Sequence, residues 1–297
     1  MAKRALRAWK AAECQFMVLF SLSSYRVSEL QIWVCMASIK SLAARGLNRT
    51  LRSAGIEINP VGTLKAAEWP GFPDIEPWVG EIIEKVRPFT MTSAERISAL
   101  CHAVRYVAKS KIQGDIIECG VWRGGSMMAI AMTLLAEQDL SRTLHLFDTF
   151  EGMPPPTEAD RTWLGRAASS LLEESDRSSF VWAYAPLEDV RANIASTNYP
   201  SDRIRFIRGK VEDTIPKDSP AKISILRLDT DWYESTRHEL IHLYPKLSIG
   251  GVLIIDDYGH WKGARKAVDE YVKDNKLHIL LNRIDYTGRI AVKINPV

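Results

Sequence analysis

Cysteine is scarce in this chain: Cys14, Cys35, Cys101 and Cys119 are the only four in 297 residues, and no two form a C-x-x-C pair. That excludes a disulfide-built scaffold and argues for free thiols in a reducing compartment. Long apolar runs are missing too. A spanning helix needs about twenty apolar residues, and no such stretch exists. The run Phe16–Leu22 follows Lys3, Arg4 and Arg7 in the manner of a signal peptide. It is only about as long as the shortest signal core, Lys10 and Glu13 interrupt its approach, and no small-residue cleavage site follows. These absences predict a cytoplasmic protein without a transmembrane segment.

Charge of one sign is equally sparse. The formal net charge of +3 is too small to imply a nucleic-acid partner. The distribution is uneven, with ten Lys/Arg against three acids from Met1 to Lys65, leaving −4 on the remainder. The simplest account of that basic arm is a solvated helical face, although such an arm could also meet a membrane surface or an acidic partner. The dinucleotide fingerprint G-x-G-x-x-G is absent as well.

What is present is a change of rhythm. Residues 1–90 read as a helical N-terminal region, helix-rich to about 65 and punctuated by Asn59-Pro60-Val61-Gly62 and Pro70-Gly71-Phe72-Pro73. It is suited to covering a substrate or to oligomerisation. From 91 to 297 the pattern is regular. Thr92/Ser93 with Glu95 opens a helix to about Lys109, and short apolar runs then alternate with helical stretches. The predicted strands are 115–119, 143–147, 204–207, 223–228 and 252–255, with 277–281 and 289–293 as a closing hairpin around Tyr286-Thr287-Gly288. This predicts an α/β fold, Rossmann-like and doubly wound, with a mostly parallel seven-stranded sheet and an antiparallel C-terminal edge. Ligands in such folds sit at the carboxyl ends of the strands.

The strand ends are where the chemistry collects. After the first comes Glu118-Cys119-Gly120-Val121-Trp122-Arg123-Gly124-Gly125-Ser126, a tight turn with an acid placed to meet a ligand ammonium group. After the second comes Asp148, at the position that accepts from ribose hydroxyls in this class of fold. Glu212 and Asp213 follow the third strand, in a polar turn that either lies over an adenine or simply ends a loop. The first two signals together favour a nucleoside ligand without a pyrophosphate, such as S-adenosylmethionine. The fourth and fifth strands deliver Asp229, Asp256 and Asp257. Clustered acids repel one another, and a hard cation with oxygen ligands, typically Mg²⁺, resolves the repulsion. Arg227 also stands ready to balance that charge, and Met127, Met128 and Met132 read as core.

Four segments carry a family resemblance: Asp115–Ser126, Leu146–Pro154, Leu226–Ser235 and Gly250–Trp261. From Pro88 to Val292 the chain resembles the macrocin O-methyltransferase (TylF) family. The resemblance implies an S-adenosylmethionine- and Mg²⁺-dependent enzyme that methylates a hydroxyl of a small-molecule acceptor, a natural-product sugar or a phenol. It implies that Asp229, Asp256 and Asp257 hold the metal. It also implies that Glu118, the turn Gly120-Val121-Trp122 with Gly124 and Ser126, and Asp148 hold the cofactor. A homodimer is the family's expectation. In this scheme Asp229 assists proton removal from the acceptor, with Asp231 and His260 as alternatives. Two rivals stand beside it. One is a non-catalytic S-adenosylmethionine-binding protein. The other is a zinc peptidase using His238-Glu239-Leu240-Ile241-His242, an H-E-x-x-H match with no visible third ligand.

Overall fold

The computed structural model describes residues 74–296. The basic helix-rich arm and the turns at 59–62 and 70–73 lie outside the described residues. Helix α1 (Pro77–Val86) opens the described chain and α2 (Ala94–Lys109) follows. The Ser93 hydroxyl caps α2, accepting from the Arg96 backbone N–H at 3.2 Å and satisfying one of the donors a helix start leaves open. Ile97, Leu100, Val104 and Val107 recur at helical spacing and are buried, so the amphipathic stripe and the cap agree on where this helix lies.

Strand β1 (Asp115–Cys119), helix α3 (Gly125–Ala136) and strand β2 (Leu144–Asp148) then form the first crossover unit. Helices α4 (Ala168–Glu173) and α5 (Leu187–Ala195) precede β3 (Ile204–Arg208), and the short α6 (Val211–Thr214) precedes β4 (Ile223–Leu228). The chain closes through α7 (Tyr233–Leu243), β5 (Leu247–Ile255), α8 (Lys262–Asp274), β6 (Asn282–Arg283) and β7 (Arg289–Val292). The sheet order is β3-β2-β1-β4-β5-β7-β6. β1 to β5 pair in parallel, and β7 pairs antiparallel to both β5 and β6. The order reverses at β1, between β2 and β4, which is where ligands enter such sheets. All six residues of β4 are buried, as expected of a strand covered on both faces. Ile117, Leu226, Leu240, Leu253 and Val268 share one apolar cluster, each such side chain contributing roughly 1.5–3 kcal/mol.

The predicted strand at 277–281 is a correction. The ladder forms only at Asn282–Arg283. Leu277, Ile279 and Leu281 do lie against the core while Leu280 is 76% exposed. The period-2 alternation therefore reports an extended segment laid on the core, with no hydrogen-bonded neighbour. β5 starts earlier than predicted, at Leu247, because Gly250-Gly251 sits inside the strand and does not end it. No helix among the described residues is long and apolar enough to cross a membrane.

Candidate functional site

Register decides which side chains meet. Cys119 is level with Leu228, and Leu228 with Ile255. The hydrogen bonding continues one residue further, with the Asp229 N–H donating to Cys119 at 2.8 Å and the Asp256 N–H to Leu228 at 2.9 Å. Gly120, Asp229 and Asp256 therefore leave three adjacent strands side by side. Gly120 has φ +82°, and a Cβ there would fall 1.9 Å from the Asp229 carbonyl oxygen. Gly125 is similarly close-packed, with a Cβ 2.6 Å from the Phe89 carbonyl. The turn glycines thus first serve close approach of protein to protein, where the sequence suggested room for a ligand.

Three carboxylates converge as expected: Asp229, Asp256 and Asp257 each offer an oxygen, all within 4.8 Å of one another. Asp256 and Asp257 are buried, while the Asp229 side chain keeps 27% exposure and so remains reachable. Burial pushes the Asp229 and Asp257 carboxyls well above the usual range. The neighbouring acids add to both shifts, and the Arg227 guanidinium partly offsets that of Asp229. Asp231 has φ +64°, in the left-handed region that Asp tolerates better than most residues. Its backbone N–H donates to Asp257 Oδ2 at 3.2 Å, and burial lifts its carboxyl to about 7. This hard-oxygen, mutually repelling set suits a hard divalent cation.

Arg227, almost fully buried, stands at the centre. Its Nη1 donates to Glu118 Oε1 at 2.5 Å and to Asp229 Oδ2 at 2.7 Å. Its Nη2 donates to Asp256 Oδ1 at 2.5 Å and to Thr92 Oγ1 at 3.0 Å. Arg96 holds the other Asp256 oxygen and donates through Nε to Asp285 Oδ2 at 3.0 Å. Glu118 is 1% exposed, and its Oε2 is buried with no partner. An orphaned buried carboxylate oxygen is costly and marks a place for a donor. Burial raises this carboxyl to about 7, and the Arg227 guanidinium pulls it back only in part.

Asp148, expected to meet a ribose, also ties the glycine turn to the end of β2. Its Oδ2 accepts the Val121 and Trp122 N–H groups at 2.6 and 3.1 Å, and its Oδ1 accepts the Phe150 N–H at 2.7 Å, while the nearby Thr149 hydroxyl donates to the Gly152 carbonyl at 2.7 Å. A carboxylate has about four acceptor positions; the loop that Asp148 ties to β2 takes three of them and leaves one open. Ser126 is buried in the first turn of α3, and Gly124 caps that helix in the left-handed conformation. Trp122 packs edge-on to Phe180 at 6.0 Å. Glu212 and Asp213 line a cleft with Pro154, Thr157, Lys210 and Trp232, where Glu212 accepts from the Ser235 hydroxyl at 3.0 Å.

His260 lies three residues beyond Asp257, with Tyr286 Oη 3.3 Å from its Nδ1. Burial, reinforced by Arg96, lowers its pKa, leaving a neutral ring able to accept a proton. The segment 160–163 is stitched beside it. The Trp163 N–H donates to the His260 carbonyl and the Lys262 N–H to the Arg161 carbonyl, both at 2.8 Å. Asp160, fully buried, accepts the Tyr233 N–H at the start of α7 at 2.8 Å. Sequence reasoning gave Asp160, Arg96 and Asp285 no role and read Thr92 only as a helix start, since the contacts that bring them to the site, to Tyr233, Asp256, Arg96 and Arg227 in turn, span long stretches of chain. Only Arg227 had been singled out as a counter-charge.

The H-E-x-x-H segment is used otherwise. His238 Nε2 is 2.9 Å from the Ile215 carbonyl, and Glu239 is fully buried, accepting the Thr230 hydroxyl at 3.0 Å. The glutamate thus points into the core, away from the two imidazoles. Among the described residues the aspartate triad is the only group of three or more potential ligands, so no third ligand joins the histidines.

The profile of the macrocin-O-methyltransferase (TylF) family matches residues 83–292. A tetracenomycin-type 4'-O-methyltransferase of Streptomyces olivaceus, acting on a dimethoxy-rhamnosyl compound by its name, is 37% identical over 199 residues, 67% of this chain and 73% of its own. The mycinamicin III 3''-O-methyltransferase of Micromonospora griseorubida is 34% identical over 199 residues, 67% of this chain and 76% of its own. The solved structure of the O-methyltransferase NovP superposes with a TM-score of 0.62 at 32% identity, covering 70% of this chain and 83% of that one.

Proposed function

Since the chain belongs to the macrocin O-methyltransferase (TylF) family and is a methyltransferase, we propose that it methylates a sugar hydroxyl of a natural product using S-adenosylmethionine and Mg²⁺. The observation that carries this reading is the adjacency of an orphaned buried acid, Glu118 Oε2, and the Asp229-Asp256-Asp257 cluster on neighbouring strand ends. The sugar acceptor is supported by the rhamnosyl compound in the name of the Streptomyces olivaceus relative. Every residue invoked lies within 91–297, the segment proposed as the methyltransferase domain.

When bound, S-adenosylmethionine supplies an electrophilic methyl group, and Mg²⁺ supplies Lewis-acid polarisation of the acceptor oxygen. The chain's residues do the rest. Glu118 Oε2 accepts from the cofactor ammonium, its carboxylate held in place through Oε1 by Arg227. The Val121–Trp122 turn, fixed by Asp148, shapes the cofactor floor. Gly120, Gly124 and Ser126 belong to the same turn, and Glu212 and Asp213 stand at the adenine end. Asp229, Asp256 and Asp257 hold the cation. Asp229, the most open of these, takes the acceptor proton, with Asp231 and His260 as the groups next in line. Methyl transfer then rests on alignment and charge placement.

The test is calorimetric titration of S-adenosylmethionine into chelator-treated protein, followed by a glycosylated acceptor with and without Mg²⁺. Cofactor binding, with acceptor turnover only when Mg²⁺ is present, supports the reading. Absence of cofactor binding overturns it.

A pH dependence follows from Glu118. Its folded-state pKa of about 7 lies above the unfolded value near 4.5. Its contribution to stability is therefore present below 4.5 and lost as pH rises through 7. Cofactor binding runs the opposite way, because the ammonium group pairs with the ionised acid. The affinity of S-adenosylhomocysteine for metal-free protein should fall about fivefold from pH 7 to pH 6, read by calorimetry. A flat profile would contradict the role of Glu118.

A further inference from the structure

The Arg227 guanidinium is shared by acids that the proposed function assigns to two different ligands. Nη1 spans Glu118 and Asp229, and Nη2 holds Asp256 and the Thr92 hydroxyl. A side chain 2% exposed has no water to take over any of these bonds. Arg96 takes the second oxygen of Asp256, but Glu118, Asp229 and the first oxygen of Asp256 share the single charge of Arg227, so each acid competes with the others for it. The planar fork also fixes the relative placement of the three groups, which a point-charge ammonium would not do. The arrangement leaves one oxygen of Glu118 unpartnered and draws the inner oxygens of Asp229 and Asp256 away from any cation.

We propose that Arg227 is a positioning residue that joins the cofactor acid and two of the cation-holding acids into one charge-linked unit, so that a change on one side alters affinity on the other. This rests on the assignment of Glu118 to the cofactor and of Asp229 and Asp256 to the cation. A cation entering the cluster must draw Asp229 and Asp256 from the guanidinium. Glu118 helps by holding that guanidinium from the opposite side. Removing the Glu118 charge concentrates Arg227 on the two aspartates and weakens cation binding, although Glu118 itself is no ligand of the cation. Linkage makes the effect reciprocal.

The experiment uses the full chain without cofactor, titrated with Mn²⁺ and followed by the electron paramagnetic resonance signal of the free ion. Glu118→Gln should raise the Mn²⁺ Kd about tenfold. In an Arg227→Lys background, which keeps the charge but loses the fork, the same substitution should change it less than twofold. An unchanged Kd in Glu118→Gln overturns the link. An equal effect in both backgrounds overturns the role of Arg227 and leaves direct attraction between the Glu118 carboxylate and the cation across space. Should Arg227→Lys not fold, Glu118→Asp decides, because it keeps the charge but retracts it from the guanidinium. A Kd like that of Glu118→Gln supports the contact, and a Kd like wild type refutes it. Wild-type protein that binds neither Mn²⁺ nor S-adenosylhomocysteine would undo the proposed function itself. Binding of both with no response to Glu118→Gln undoes only the link.

Discussion

Asp229→Asn is expected to lower kcat by about 10³ or more, the scale of losing a charge-stabilising group at a reacting oxygen, while S-adenosylmethionine still binds, its affinity shifted by no more than about tenfold through the shared Arg227. The amide keeps the shape but can neither carry the negative charge a cation needs nor take a proton from the acceptor. Cofactor binding survives because Arg227 still holds Glu118 and Asp256. Stability should not suffer. Burial holds the Asp229 carboxyl well above its usual range, so at neutral pH its charge is costly in the folded state, and a neutral isostere relieves that cost. Turnover by radiolabel transfer, affinity by calorimetry and thermal unfolding separate these outcomes. Near-normal turnover would remove Asp229 from the chemistry, and a large loss of Tm would mean that the residue serves the fold.

Gly120→Ala should act on the opposite axis. The residue sits at φ +82° with its missing Cβ position 1.9 Å from the Asp229 carbonyl oxygen. Both the left-handed backbone and the overlap with a neighbouring main chain disfavour any side chain there. A loss of about 3 kcal/mol or more is expected, or roughly 6–12 °C in Tm for a domain of this size. Gly80→Ala is the control, since its Cβ would meet nothing within 4 Å and its helical setting favours alanine. If both variants melt within 2 °C of wild type, the close approach of the first and fourth strand ends is wrong.

The alternation of short apolar runs with helical stretches made the five parallel strands legible, because strands covered on both faces need little beyond an apolar run. Strand ends could then be assigned without knowing any contact, and Asp229, Asp256 and Asp257 were found that way. Partnership was the part that stayed hidden. Nothing local shows that Arg96 reaches across 160 residues to Asp256, or that Asp160 reaches across 73 to the start of α7. Asp148 illustrates the converse. Its place at a strand end was correctly located, but whether its lone pairs are free depends on the Val121, Trp122 and Phe150 N–H groups folding back onto it. The Leu277–Leu281 alternation misled for a related reason, since side-chain period is visible in sequence and backbone pairing is not.

The stitch at Asp160–Trp163 divides the long connection after β2 into two parts with different freedoms. Up to Trp163 the chain is fastened to His260, Lys262 and Tyr233, and a change there disturbs the neighbourhood of the carboxylates. Beyond it the connection carries solvent-facing apolar side chains, Leu164, Phe180 and Tyr184 among them. Those side chains can change while Ala168 and Leu172, buried against Trp232 and Trp261, keep the stretch anchored. Divergence within such a lineage would then concentrate at the exposed positions Leu164, Phe180 and Tyr184, and a designer seeking new acceptors would vary those side chains first.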